Sequence, residues 1–149
     1  MLVNISEAAS LALHTMAVLA SATDQRFTNQ GLAARLKASS HHLAKVMQRL
    51  AKAGLVDSVR GPQGGFRLGR AAKTVTLLEI YEAVDGPVDD GVCLLGEPLC
   101  EGMDCVLGEY ILSVHRQMRD YLAETKLSAL ARGVPLVQLR KNSDPTVVA

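Results

Sequence analysis

Cys93, Cys100 and Cys105 are the only cysteines in the chain, and all three fall within thirteen consecutive residues. The spacing is C-x6-C-x4-C, in a segment punctuated by Gly and Pro. Thiols gathered this way suit a metal or redox site better than core packing. Soft thiolate ligands favour zinc, copper(I) or an iron–sulfur cluster. Each of these usually takes a fourth ligand, and the segment holds no fourth cysteine. An odd number of cysteines disfavours a simple disulfide scaffold. The neighbouring acids Asp89, Asp90, Glu97, Glu101 and Asp104 disfavour thiolate, which weighs mildly against a sensor thiol, but they also add negative charge around a thiolate-bound cluster and so favour neither.

A second group of residues could hold a polyanion. Thr28, Ser39, Ser40, His41, His42, Lys45 and Arg49 offer short hydrogen-bond donors and cations, with Lys52 beyond them. Arg60-Gly61-Pro62-Gln63-Gly64-Gly65 and Arg67 form a basic, glycine-rich stretch. Glycines let a backbone approach phosphates or enter a narrow groove, and Arg is favoured in a narrow minor groove. A plain hairpin turn is the alternative, but two residues suffice for a tight turn, so this tip is longer and more basic than turning requires. Adjacent helical histidines point about 100° apart. His41 and His42 therefore suit DNA contact or solvent better than one metal. His14 and His115, in apolar helices, suit packing or an interface.

The elements that must position these groups follow from pattern. Ser6 can cap a helix to about residue 20, and Thr28 a short helix from Asn29 to Leu36. Ser39 or Ser40 starts a third, to about residue 53. Its Leu43, Val46, Met47 and Leu50 recur at helical spacing, and Gly54 sits where a C′ glycine would stop it. Residues 55–59 and 66–68 alternate as strands around the RGPQGG tip. Thr76 caps a helix from Leu77 to Val84, which ends at Asp85-Gly86-Pro87. A long helix follows the cysteines from Val106 to Thr125. On it Val106, Tyr110, Val114, Met118, and Tyr121 with Leu122 form one apolar stripe that demands a partner surface, with part of it expected to bury within the same subunit. Ser128 caps a last turn. Helix, turn, helix, then hairpin is the order of a winged helix-turn-helix.

Bulk numbers agree. The 149 residues suit one core-forming domain, with 3% aromatic content and no Trp. The net charge of +1 hides an asymmetry. Residues 26–73 carry ten Lys/Arg and one acid, Asp57, whereas residues 76–109 carry nine acids and no Lys or Arg. Such segregation marks a polyanion-binding half, or else two solvated faces of opposite sign. The N-terminus has no basic n-region and His14 breaks the apolar run after it. This reads as no signal peptide, no membrane partner and a reducing, cytoplasmic location. No P-loop, nucleophile elbow or His-Glu metal motif is present, so an enzyme is not expected. An electron carrier is disfavoured by the absence of C-x2-C spacing and by the basic tip.

With these residues in hand, the chain resembles the Rrf-two family of bacterial winged-helix regulators, which includes IscR, NsrR, RirA and CymR. The matching stretches are LALHTMAVLA at 11–20, HLAKVMQRLAKAGLV at 42–56, VRGPQGGFRLGR at 59–70 and LLEIYEAVDGP at 77–87. The cysteine loop and LSALA at 127–131 extend the match. The resemblance implies a mainly α fold with a β-hairpin wing and a long C-terminal dimerisation helix. It implies a DNA-binding domain at 1–75 and a sensor loop and dimer helix at 76–131, and the patternless mix of Pro, Asn, Ser and Asp from Val134 onward reads as a flexible tail, 132–149. It further implies a homodimer on a double-stranded operator, acting as a repressor. In cluster-binding members three loop cysteines hold an iron–sulfur cluster, here Cys93, Cys100 and Cys105, as 2Fe–2S or 4Fe–4S. The cluster can be absent from an apo form. The spacing departs from the C-x5-C-x5-C form of IscR-type members, and Gly108 replaces their histidine ligand. NsrR-type members use an N-terminal aspartate of the other subunit, where this chain has Ser10. Glu7, one turn earlier, is a candidate fourth ligand, and Asp104 and Glu109 are others. An acid in a helix's first turn is also simply favoured by the dipole. The alternative to a cluster is a thiol switch or small-ligand sensing on the same DNA-binding protein.

Overall fold

Four helices begin where a short polar side chain stands ready to take a free backbone N–H. In a computed structural model, which describes residues 5–88, 93, 95, 100, 105–133 and 147–148, α1 spans Glu7–Ser21 and the Ala9 N–H donates to the Ser6 hydroxyl at 2.9 Å. The Gly31 N–H donates to Thr28 at 3.1 Å to start α2, Asn29–Leu36. The His42 N–H donates to Ser39 at 3.3 Å to start α3, Ser40–Lys52. α4, Leu77–Asp85, begins with a reciprocal capping box between Thr76 and Glu79. These caps satisfy donors that a helix's first turn leaves orphaned.

The end of α3 is also set by local chemistry. Gly54, at φ 74°, donates to the Ala51 carbonyl and Leu55 donates to Leu50, both at 3.0 Å. This 6→1 and 5→2 pair is a Schellman stop. It turns the chain into β2, Val56–Val59, which pairs antiparallel with β3, Gly65–Leu68. A two-residue strand β1, Arg26–Phe27, joins the other edge of β3 through Phe27 and Phe66. β4, Val147–Val148, pairs with β1, so the strand order is β2-β3-β1-β4. Sequence patterning misses β1 because two residues cannot show alternation. It also misses the 3₁₀ turn Ala72–Thr74.

α1 is apolar nearly all round and lies at the centre, packed against α2, α3, α4 and α6. Only a narrow strip, Glu7, Ser10 and His14, is left polar, and Glu7 and His14 on it are exposed. One core runs through Met16, Leu19, Phe27, Leu32, Leu43, Met47, Leu50, Ile80 and Leu127, with each of these at most 2% exposed. The architecture is a mainly helical winged helix-turn-helix, with α2 and α3 as the helix pair and β2–β3 as the wing.

α5, Val106–Glu124, packs against α4. α6, Leu127–Gly133, returns onto α1. The junction between them is tied to the start of α4: Leu77 N–H donates to the Thr125 carbonyl and Leu127 N–H to the Val75 carbonyl. The single apolar stripe expected on α5 divides into two. Ile111 and Leu122 are buried and Met118 packs on the core. Val106 at 78%, Leu107 at 59%, Tyr110 at 55% and Tyr121 at 67% are exposed. The two rows lie about 100° apart on the helix, which steps of three and four cannot separate by eye. Among the described residues, no helix is long and apolar enough to cross a membrane.

Candidate nucleic-acid interface and cysteine segment

α3 buries Leu43, Val46, Met47 and Leu50 and turns its other side outward. His41, Lys45, Gln48 and Lys52 recur at steps of four, three and four and are all exposed. Gln48 belongs to this line and was not among the residues singled out from sequence, although its spacing from Lys45 would have found it. Ser39 and Ser40 are exposed at the helix start, and Asn29 of α2 donates to the Ser40 carbonyl at 2.8 Å. That bond ties the start of α2 to the start of α3. Thr28 is spent on its cap.

Two expected contributors face away from this line. His42 stands 3.8 Å from the Glu7 carboxylate of α1. Arg49 donates to the Val84 carbonyl at the end of α4 at 2.7 Å. Neither destination is visible in sequence, because each lies more than thirty residues away.

The wing is shaped by its glycines. Gly64 is buried, and a Cβ there would run into the Val59 carbonyl, with Arg60 and Gly61 backbone atoms at 2.9 Å. Gly65, at φ 145°, would place a Cβ 2.9 Å from the Phe27 carbonyl. Both glycines are therefore required by the turn and by β1. Gly61, at φ 109°, has open space around it. Arg60 and Gln63 are exposed at the tip. Arg67 is paired across the ladder with Asp57, whereas among the described residues Arg60 makes no ion pair. Arg26 of β1 reaches the Gln63 carbonyl at 3.5 Å, which adds a cation beside the tip that sequence reasoning left out.

Cys105 caps α5, and the Gly108 N–H donates to its sulfur at 3.3 Å. Cys105 and Cys93 are half-buried, Cys100 is exposed, and all three are free thiols. Cys105 thus stands at the positive end of a helix of 19 residues, which favours negative charge. Gly108 is buried, so the position that lacks the expected histidine is a packing site for the helix backbone. Among the described residues, no three His, Cys, Asp or Glu side chains come together as a metal site. The three thiols suit a soft metal or a cluster in chemistry, and the α5 N-terminus would favour the negative charge of thiolate ligation at Cys105. Glu7 is exposed and beside His42. Asp104 lies outside the described residues, and Glu109 is exposed on α5.

A basic, exposed recognition helix beside a basic wing defines a winged-helix regulator. The chain belongs to the Rrf2 family, described as iron-dependent transcriptional regulators, whose pattern matches residues 5–133. It is 38% identical over 111 residues to the HTH-type transcriptional regulator IscR of Serratia proteamaculans, covering 74% of this chain and 62% of that one. IscR of Erwinia tasmaniensis is 39% identical over the same length and share. The matches thus span about three fifths of these relatives' length. Among solved structures, CymR of B. subtilis, the global cysteine regulator of that organism, is similar with a TM-score of 0.75 and 25% identity over 89% of this chain and 98% of that chain. IscR of T. potens shares the fold, with a TM-score of 0.69 at 21% identity over 95% of this chain and 93% of that chain. These relatives are named as regulators, not enzymes.

Proposed function

We propose that the chain is a homodimeric DNA-binding repressor whose DNA affinity is set by the state of Cys93, Cys100 and Cys105. The observation that carries the DNA reading is the exposed line of His41, Lys45, Gln48 and Lys52 beside Arg60 of the wing. These residues supply phosphate contacts and base-edge contacts from one face. The segment 1–75 is the DNA-binding part and 76–131 the sensing and dimerising part. Val106, Leu107, Tyr110 and Tyr121 form the face on which a second copy docks. Two-fold pairing would set the recognition helices about 34 Å apart on a pseudo-palindromic operator.

The three cysteines are read as ligands of an iron–sulfur cluster. The family's iron dependence and the Cys105 thiol at the start of α5 support this reading. The cluster would supply a redox-labile centre, and Cys93, Cys100 and Cys105 would hold it. A fourth ligand comes from an oxygen donor such as Glu7, from across the dimer, or is left open to the signal. A second reading, a cluster-free thiol switch, is favoured by one observation: Cys100 is exposed and so open to an oxidant.

Anaerobic reconstitution with iron and sulfide separates the two. The cluster reading expects a coloured protein with stoichiometric iron and sulfide, lost in Cys93→Ala. A colourless, iron-free product with reversible thiol oxidation would leave the switch.

A further inference from the structure

The stretch Val84–Val88 leads from α4 towards the cysteines, and three elements hold it. From α3, the Arg49 guanidinium donates to the Val84 carbonyl at 2.7 Å. From the start of α1, the Ser6 hydroxyl donates to the Asp85 carboxylate at 2.6 Å. From α5, Arg119 donates to the Val88 carbonyl at 3.1 Å. The side chains of Val84 and Val88 are buried in the core. The stretch is thus anchored on both faces.

The Arg49 bond has a specific cause. The last carbonyls of a helix lack intrahelical partners and carry partial negative charge. α4 has no basic residue in its own last turn. Arg49 supplies that cation from the recognition helix, and it stands off the line of His41, Lys45, Gln48 and Lys52.

We propose that Arg49 is a positioning residue, which couples the setting of α3 to the end of α4 from which the cysteine segment departs, and is not a phosphate ligand. The proposal rests on the regulator reading above and names how its sensing end reaches its DNA end. A change among the cysteines that moves Val84–Val88 moves the anchor of Arg49, and with it α3. Coupling of this kind is reciprocal: DNA seated on α3 must register at Val84–Val88.

Hydrogen–deuterium exchange tests this on the full chain, with and without a duplex enriched from a random-sequence library on the wild-type protein. In the wild type, exchange in the peptide covering 84–88 should slow by about threefold or more on binding. Arg49→Met and Arg49→Gln should bind with an unchanged salt slope and show no DNA-dependent change at 84–88. A slope lower by about 0.9 in both variants would make Arg49 a phosphate contact and overturn the proposal. So would equal DNA-dependent protection in variant and wild type, or a wild type that binds without any response at 84–88. A wild type that binds no duplex is recognised by the titration alone, and removes the regulator reading and this coupling together.

Discussion

Arg67 and Asp57 stand opposite each other in the wing ladder, and the guanidinium meets the carboxylate at 3.1 Å. Both are about half exposed, so the pair itself adds little stability, on the order of 0–1 kcal/mol. Its larger effect is on charge: the single acid of the basic half neutralises one of the two arginines flanking the tip. The wing's available cation is then Arg60.

Arg60→Ala should therefore weaken duplex binding for all sequences and lower the salt slope by about 0.9. Arg67→Ala should do less, and Asp57→Ala should tighten binding by releasing Arg67. Anisotropy titrations at several salt concentrations check the order. Equal losses for Arg60→Ala and Arg67→Ala would contradict it.

Lys45 and Gln48 should separate by kind of contact. Lys45→Ala is expected to weaken binding uniformly, as a phosphate contact does. Gln48→Ala should cost about 1–3 kcal/mol on a preferred duplex and little on mixed sequence, as a base contact does. Parallel titrations on a selected and a scrambled duplex give the comparison.

Gly64→Ala should damage the wing, because its Cβ has no space against the Val59 and Gly61 carbonyls. Strain of this kind costs about 1–3 kcal/mol. Thermal melting should fall accordingly, and DNA affinity with it. A variant with wild-type melting would show that the turn can relax around the added methyl.

Thr15 is fully buried and, among the described residues, its hydroxyl has no hydrogen-bond partner. Replacing such a group by an apolar one of the same shape is neutral or stabilising. Thr15→Val should raise stability by about 0.5–1 kcal/mol in a denaturant titration. A clear loss would mean that the hydroxyl is satisfied in solution.

The capping box of α4 carries a pH dependence. Burial pushes the Glu79 carboxyl up, but the Thr76 backbone N–H, the Arg70 hydrogen bond and charge, and the Thr76 hydroxyl outweigh it. Its pKa therefore lies below the ordinary 4.5. A depressed carboxylate stabilises the fold in full above the unfolded pKa, and this stability is lost as pH falls through the folded one. Wild type should thus lose more stability than Glu79→Gln between neutral pH and pH values below the ordinary carboxylate range. Parallel denaturant titrations in that window, showing identical losses, would remove Glu79 from the account.

What could be read from the sequence were features settled within a few residues. The caps at Ser6, Thr28, Ser39 and Thr76 and the stop at Gly54 involve partners at most five positions away. The hairpin was legible because β-branched alternation and turn residues adjoin. The destinations of long side chains were not: Arg49 reaches Val84, Arg26 reaches Gln63 and His42 meets Glu7 only once the helices are packed. The glycines of the tip read as space for a nucleic acid, whereas Gly64 and Gly65 are already demanded by backbone contacts within the sheet. The cysteine spacing showed three donors, and the cap that Cys105 places on α5 emerged only from the fold.

The central claim is that the cysteines control DNA binding. Its most direct test is the affinity of one selected duplex for the anaerobically reconstituted protein and for the same protein after oxidation or metal removal. Coupling of this class gives a change of about 5–150-fold, which should vanish in Cys93→Ala and in Cys105→Ala. Identical affinity in both states, or a change that survives both substitutions, would contradict the account.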